Sequence, residues 1–185
     1  MPSGFALKKA ARILRDGGIV AYPTEAVYGF GCDPLDPEAV FRILDVKRRS
    51  VGAGLILIAA DAAQLEPFFG PLTGAERARV EETWPDPATW LVPAGSATPF
   101  WITGGRARVA VRVTSHPVAR ALCRAAHMPL VSTSANRSRQ PPARTALDVR
   151  LRFGAEVDYI LGGDTGGHAR PSQIRNVSTG EVVRR

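Results

Sequence analysis

Cysteine is nearly absent. Cys32 and Cys123 are the only two in the chain, too few for a disulfide framework, and a reducing compartment suits such a sequence. Long apolar runs are missing as well. The longest clean one, Leu55 to Ala60, falls far short of the roughly 20 residues that cross a bilayer. The N-terminal stretch carries Lys8, Lys9 and Arg12 in an amphipathic pattern, unlike a secretory signal. Several chemistries lack their motifs. No G-x-x-x-x-G-K-[ST] string occurs, which excludes a P-loop. Gly29-Phe30-Gly31-Cys32-Asp33-Pro34 starts like a dinucleotide fingerprint but has Pro34 where the third glycine belongs, so it reads as a turn. His116, His127 and His168 have no metal spacing with one another or with the cysteines, and no protein metal cage is expected. No G-x-S-x-G elbow offers a nucleophile. Aromatic residues make up 7% of the chain, few for a surface that stacks bases, and no RNP or KH signature is present.

What is present is enough for a folded core. The 185 residues are 45% hydrophobic and fit one domain over 1–185. Twenty-four Lys and Arg against 17 Asp and Glu leave a charge of +7, which favours an anionic partner or substrate without dictating a fold. An RNA-binding module is one way to use that charge, an enzyme for an anionic substrate another. Ser3 caps a helix to Arg15 that stops at Gly17-Gly18, and a buried strand follows at Ile19 to Tyr22. Asp36-Pro37 opens a helix with Val40, Ile43, Leu44 and Lys47 on one face. Leu55 to Ile58 is a buried strand, Asp61 begins a short helix, and Thr73 with Glu76 has capping-box spacing. Strands at Thr89 to Val92 and Arg108 to Val113, a helix from His116-Pro117, and a strand at Leu130 to Thr133 come next. A polar loop, 134–142, leads to a helix from the Thr145 cap to Phe153. Strands near 157–161 and 173–177 flank a glycine-rich loop, 162–167. Helices alternate with strands that are apolar on consecutive positions, so the fold class is α/β, a sheet covered by helices.

Four polar groupings fall at element ends, where side chains from separate segments can meet in one cleft. Tyr22-Pro23-Thr24-Glu25 leads to Val27-Tyr28-Gly29-Phe30-Gly31, offering the Thr24 hydroxyl beside a Tyr28 wall, or an ordinary turn with a packed tyrosine. Lys47-Arg48-Arg49-Ser50 suits either a solvated basic helix end, stabilised by the helix dipole, or a phosphate clamp in which Lys47 is a point charge and Arg49 a planar fork. Ser132-Thr133-Ser134-Ala135-Asn136 packs more hydroxyl and amide groups after a strand than a turn requires, and such groups bind phosphate oxygens. The tail runs from Pro171-Ser172-Gln173-Ile174-Arg175 to Arg184-Arg185. Arg112 sits inside the apolar strand Val109 to Val113 and needs a partner, either a ligand carboxylate or a structural Asp or Glu.

Taken in order, Tyr-Pro-Thr-Glu-x-Val-Tyr-Gly-x-Gly at 22–31, Lys-x-Arg at 47–49, Val-Arg-Val at 111–113, Ser-Thr-Ser-Ala-Asn at 132–136 and Pro-Ser-x-Ile-Arg at 171–175 resemble the YrdC family in its short bacterial form. The likeness spans nearly the whole chain. It implies a YrdC/RibB-like twisted mixed sheet with flanking helices and a central cavity. It also implies a cytoplasmic enzyme that joins L-threonine, bicarbonate and ATP, with Mg²⁺ carried on the ATP, into threonylcarbamoyl-AMP and diphosphate. The product would serve tRNA modification next to the anticodon, with TsaD, TsaB and TsaE as pathway partners and a possible tRNA contact. By the resemblance, Lys47 and Arg49 are catalytic and hold the nucleotide together with Ser132, Ser134, Asn136 and Arg184. Thr24, Tyr28, Arg112 and Ser172 form the threonine side. The family's pattern differs at Ala26, where it commonly has threonine. It differs also near Ile58, where long forms carry histidine, and at Gln173, which replaces a threonine. The resemblance to the short form implies no additional C-terminal domain.

Overall fold

The computed structural model describes residues 1–85, 88–168 and 172–184, the last without its side chain. Helix α1 (Gly4–Arg15) begins where the Ser3 hydroxyl accepts the Ala6 amide, as the sequence predicts, and it buries Ala10, Ala11 and Leu14. Strand β1 (Val20–Pro23) turns at Thr24 into β2 (Tyr28–Gly31), and Asp36 caps α2 (Pro37–Lys47) by accepting the Ala39 amide. Then come β3 (Ile56–Ala59), α3 (Gly74–Thr83), β4 (Thr89–Pro93), the single-turn α4 (Phe100–Thr103) and β5 (Arg108–Val113). The chain continues through α5 (Pro117–Ala126), β6 (Leu130–Ser134), α6 (Ala146–Phe153) and β7 (Tyr159–Ile160), then β8 (Ile174–Asn176) and β9 (Val182–Arg184). The expected capping box forms at Thr73 with Glu76, and the expected Thr145 cap proves to be a second capping box, with Asp148.

The described strands join in one mixed sheet of order β7-β1-β2-β6-β3-β5-β4-β8-β9. Its two faces differ, and this difference builds the site. Alternation along β5 sends Val109, Val111 and Val113 to the larger core cluster, together with Leu57, Ala59 and Val131 of the neighbouring strands. On the opposite face the end bearing Ile58 and Leu130 is covered by α1 and α5, which pack Leu14, Val118 and Leu122 into a second cluster. Ala110 and Ile56, in register with each other, line the part of that face left open.

Three local readings are corrected. The segment 29–34 is no mere turn, because its first residues belong to the fully buried strand β2. Tyr28 and Phe30 enter the core while Gly29 and Gly31 face the other way. A Cβ on Gly31 would stand 2.7 Å from the Tyr22 ring and 2.9 Å from the Val131 carbonyl oxygen, so this glycine is required by close packing rather than by a bend. Asp61 starts a turn, its carboxylate accepting the Gln64 amide, and only a 3₁₀ turn at Glu66–Phe68 follows. Helix α4 and strand β9 carry too few residues for periodicity to reveal them.

Replacing Gly31 by alanine is expected to destabilise the fold by about 1–3 kcal/mol through overpacking. Gly74→Ala, where nothing stands within 4 Å of the added carbon, should leave stability unchanged or slightly raised. Urea denaturation midpoints of the two variants check the contrast.

Candidate active site

The open part of the second sheet face is a cavity of about 510 Å³, well inside the range of small-molecule sites. Strand β5 supplies its axis, with Arg108, Ala110 and Arg112 on the cavity side of the strand. Four residues of strand at about 3.3 Å each put the Cα atoms of Arg108 and Arg112 roughly 13 Å apart. Ser132 pairs with Ile56 and so lies level with Ala110. Toward the Arg108 end the wall is made by Ser134, Gly54, Thr103, Arg49 and Arg106. Toward the other it is made by Thr24, Glu25, Ala26, Arg112 and Ser172.

At the first end, the loop after α2 returns through the left-handed residue Arg48 and brings Arg49 to the wall, where Nη2 donates to the carbonyls of Ala53, at 3.3 Å, and Gly54, at 2.8 Å. Lys47 is placed differently from the expectation of direct phosphate contact. It is 2% exposed and lies beneath the cavity wall, because it occupies the buried face of α2 with Val40, Ile43 and Leu44. Its ammonium donates to Ser134 O at 2.5 Å and to Asn136 O and Oδ1 at 3.0 Å each. The Asn136 amide also accepts the Ser134 hydroxyl, at 2.6 Å, and donates to Gln140 O. Lys47 and Asn136 therefore hold the hydroxyl loop from behind, while Ser132, Thr133 and Ser134 form the surface. Burial, together with the positive charge of Arg49, pushes the Lys47 ammonium down to about 7.

At the other end Arg112 finds the structural carboxylate that one sequence reading demanded. Its Nη2 lies 3.4 Å from Glu25 Oε2, with both side chains more than nine-tenths buried. Nη1 donates to Ser172 Oγ at 2.8 Å, and Ser172 in turn bonds Thr89 at 2.9 Å. Glu25 Oε1 accepts the Thr114 hydroxyl at 2.6 Å and the His116 amide at 3.4 Å. Burial alone would raise the Glu25 carboxyl, but Arg112 and Thr114 outweigh it and hold the group below its ordinary range. Thr24 lines the cavity, with its hydroxyl donating to Val27 O at 2.7 Å to close the turn.

Tyr28 is the clear correction. It faces the core rather than the cavity, since Gly29 takes the wall position, and its hydroxyl donates to Gly163 O at 2.6 Å, so it tethers the glycine-rich loop instead of forming a threonine wall. Burial raises its phenol, only partly opposed by the Gly163 contact. Ile58 is in register with Arg112 yet wholly buried in the second cluster, and Gln173 is exposed, accepting a bond from Arg175. Ala26 is a wall residue. Arg184 closes β9 through its backbone, and its side chain lies outside the described residues. Sequence reasoning missed Arg106, Arg108 and Thr103. The alternation of 106, 108, 110 and 112 was the available signal, once β5 was known to have one open face.

A family model named for Sua5, YciO and YrdC, described as telomere recombination, matches residues 12–185. The chain belongs to the Sua5–YciO–YrdC family. A Nitrosococcus oceani relative named threonylcarbamoyl-AMP synthase is 53% identical over 178 residues, covering 96% of each chain. A Pseudomonas aeruginosa relative of the same name is 49% identical over 186 residues, covering 100% of this chain and 99% of its own. Among solved structures, P. abyssi Sua5 complexed with L-threonine superposes with a TM-score of 0.87 at 33% identity over 95% of this chain. This chain spans 52% of that protein's length. E. coli YciO gives a TM-score of 0.87 at 26% identity, covering 100% of this chain and 91% of its own. The twisted mixed sheet with flanking helices is thus the family's fold. No described helix is long and apolar enough to cross a membrane.

The depressed Lys47 gives a stability signature. The unfolded chain holds that proton to about its ordinary 10.5 and the folded one only to about 7, so the unfolded state binds more protons between these values and stability gains as pH rises through that window. Urea midpoints at pH 6.5 and pH 9 should show this gain in the native chain and a smaller one in Lys47→Met.

Proposed function

We propose that the chain is a threonylcarbamoyl-AMP synthase, forming threonylcarbamoyl-AMP and diphosphate from L-threonine, bicarbonate and ATP. The observation that carries this reading is the cavity itself. One end joins Arg49, Arg106 and a hydroxyl loop, as a polyphosphate requires. The other presents Arg112 and Ser172, as an amino-acid carboxylate requires. Relatives at about half identity over nearly full length bear the synthase name, and a family structure has been solved with L-threonine.

The geometry suits a reaction without a protein nucleophile. The amine of threonine adds to carbon dioxide derived from bicarbonate, giving a carbamate, and a carbamate oxygen attacks the α-phosphorus of ATP as diphosphate leaves. Placing the two substrates in one cavity converts their encounter into an intramolecular event. Arg49, Arg106 and the Ser134 hydroxyl receive the growing charge on the phosphates, and donors already fixed by the fold need no reorganisation as that charge develops. Lys47 contributes from beneath, as a charge under the loop and as the tie that shapes it. Asn136 shares that role, Ser132 faces the middle of the cavity, and for Arg184 the assignment to the nucleotide rests on the family resemblance alone. Arg112 and Ser172 grip the threonine carboxylate, with Thr24 beside them. Magnesium enters as part of the substrate MgATP, held by phosphate oxygens and water.

The product is a mixed anhydride and calls for a second enzyme to accept it. TsaD with TsaB and TsaE, acting on tRNA adenosine in the cytoplasm, fit that place. The charge of +7 suits a passing contact with the tRNA.

Incubation with MgATP, threonine and bicarbonate should release diphosphate and yield the adduct by mass spectrometry. Loss of product when any one substrate is omitted checks the assignment, and no adduct from the complete mixture refutes it. Arg112→Ala is expected to raise the threonine KM by about tenfold or more, the equivalent of the ~1.5–3 kcal/mol of a charged hydrogen bond, while the ATP KM stays nearly constant. Equal effects on both substrates would remove Arg112 from the carboxylate role.

A further inference from the structure

The cavity poses a problem of order. Arg49, Arg106, Arg108 and Arg112 all line one continuous wall, and a polyphosphate drawn by positive charge would find cations at both ends. Among the described lining residues Glu25 is the single carboxylate. Resting on the reading above, we propose that Glu25 is a positioning residue that partitions the cavity by charge. By neutralising Arg112 it reserves that end for a zwitterionic amino acid and confines the polyphosphate to the end of Arg49 and Arg106.

Four observations support this. The pair lies 3.4 Å apart with side chains only 8% and 7% exposed, so solvent and salt do little to screen it. Glu25 is fixed from several directions. Thr114 and the His116 amide hold Oε1. The backbone carbonyls of Thr24 and Glu25 accept the Gly166 and His168 amides, and a Cβ on Gly166 would stand 3.0 Å from the Glu25 Cα. The acid is also held ionised by Arg112 and Thr114. Finally, Glu25 Oε2 is buried without a hydrogen bond, so it acts through its field and through Arg112 rather than by touching a ligand. A phosphate chain at Arg112 would meet that fixed negative charge. An amino acid brings an ammonium that offsets it. At the opposite end, Arg108 donates to Leu91 O, Asn176 Oδ1 and Ser178 Oγ, with the surface carboxylate of Glu76 reached only through Ser178.

Inorganic tripolyphosphate is the probe, used as an inhibitor of adduct formation and as a ligand in calorimetry. In the native chain it should compete with ATP and not with threonine. In Glu25→Gln, which keeps the shape and the acceptor for Thr114, it should also compete with threonine, with an inhibition constant against threonine at least about tenfold lower, since like charges no longer oppose it. Glu25→Asp, which keeps the charge, should restore the native pattern. An unchanged pattern in a folded Glu25→Gln overturns the proposal. Should that variant not fold, Glu25→Gln/Arg112→Gln substitutes two neutral amides for the pair and should bind tripolyphosphate within about twofold of native, because the pair contributes no net charge. A tenfold loss there overturns the proposal as well. A native chain that binds no tripolyphosphate overturns the cavity reading and this inference together, whereas native binding with no change of pattern in Glu25→Gln overturns the inference alone.

Discussion

The fold depends on how it accommodates two cations that its own strand and helix patterns force inward. Arg112 falls on a strand with apolar neighbours on both sides, and Lys47 falls on the buried face of α2. An unpartnered buried charge would cost several kcal/mol, so each must be met by groups from distant parts of the chain. Glu25, Thr114 and Ser172 gather at one, Ser134 and Asn136 at the other. The two gatherings are the two ends of the cavity. Buried ion pairs are seldom the most stable way to fill a core, since apolar residues of the same volume often do as well. Their presence here is explained by chemistry at the wall rather than by stability.

The open wall has an equally simple origin. A sheet with helices on both faces has no cavity. Here α1 and α5 cover one end of the second face, and the remainder is left open, edged only by the single-turn α4. Hydroxyls and guanidiniums from alternate strand positions occupy that bare region, supported beneath by the continuous apolar layer of the first face. A rigid floor beneath polar groups is what electrostatic stabilisation of a charged transition state requires.

The sequence revealed those features whose cause is local. The capping box at Thr73, the Thr145 cap and the Asp36-Pro37 helix start all depend on residues three or four apart. The apolar spacing of α2 included Lys47, but its place next to two arginines at the helix end read as a solvated or phosphate-binding cation rather than a buried one. Arg112 was legible as a charge in need of a carboxylate because its neighbours are valines. The identity of that partner was not, because Glu25 is 87 positions away in the chain. Tyr28 was misplaced for a related reason. Next to glycines it reads as a loop aromatic, and only the packing of Gly29 and Gly31 against neighbouring strands shows that the segment is a strand whose aromatics point to the core. Arg106 and Arg108 were visible as charges, but nothing in the pattern tells which face of β5 lacks a helix.

One feature of the Arg112 end governs how the protein comes into being. Glu25 is synthesised well before Ser172, the two lying 147 positions apart in the chain. At typical elongation rates of about 5–20 residues per second, the early carboxylate waits roughly 7–30 s before the serine that shares its arginine is synthesised. During translation the nascent chain therefore carries an unfinished Arg112 end, which closes only once the segment leading into β8 has docked.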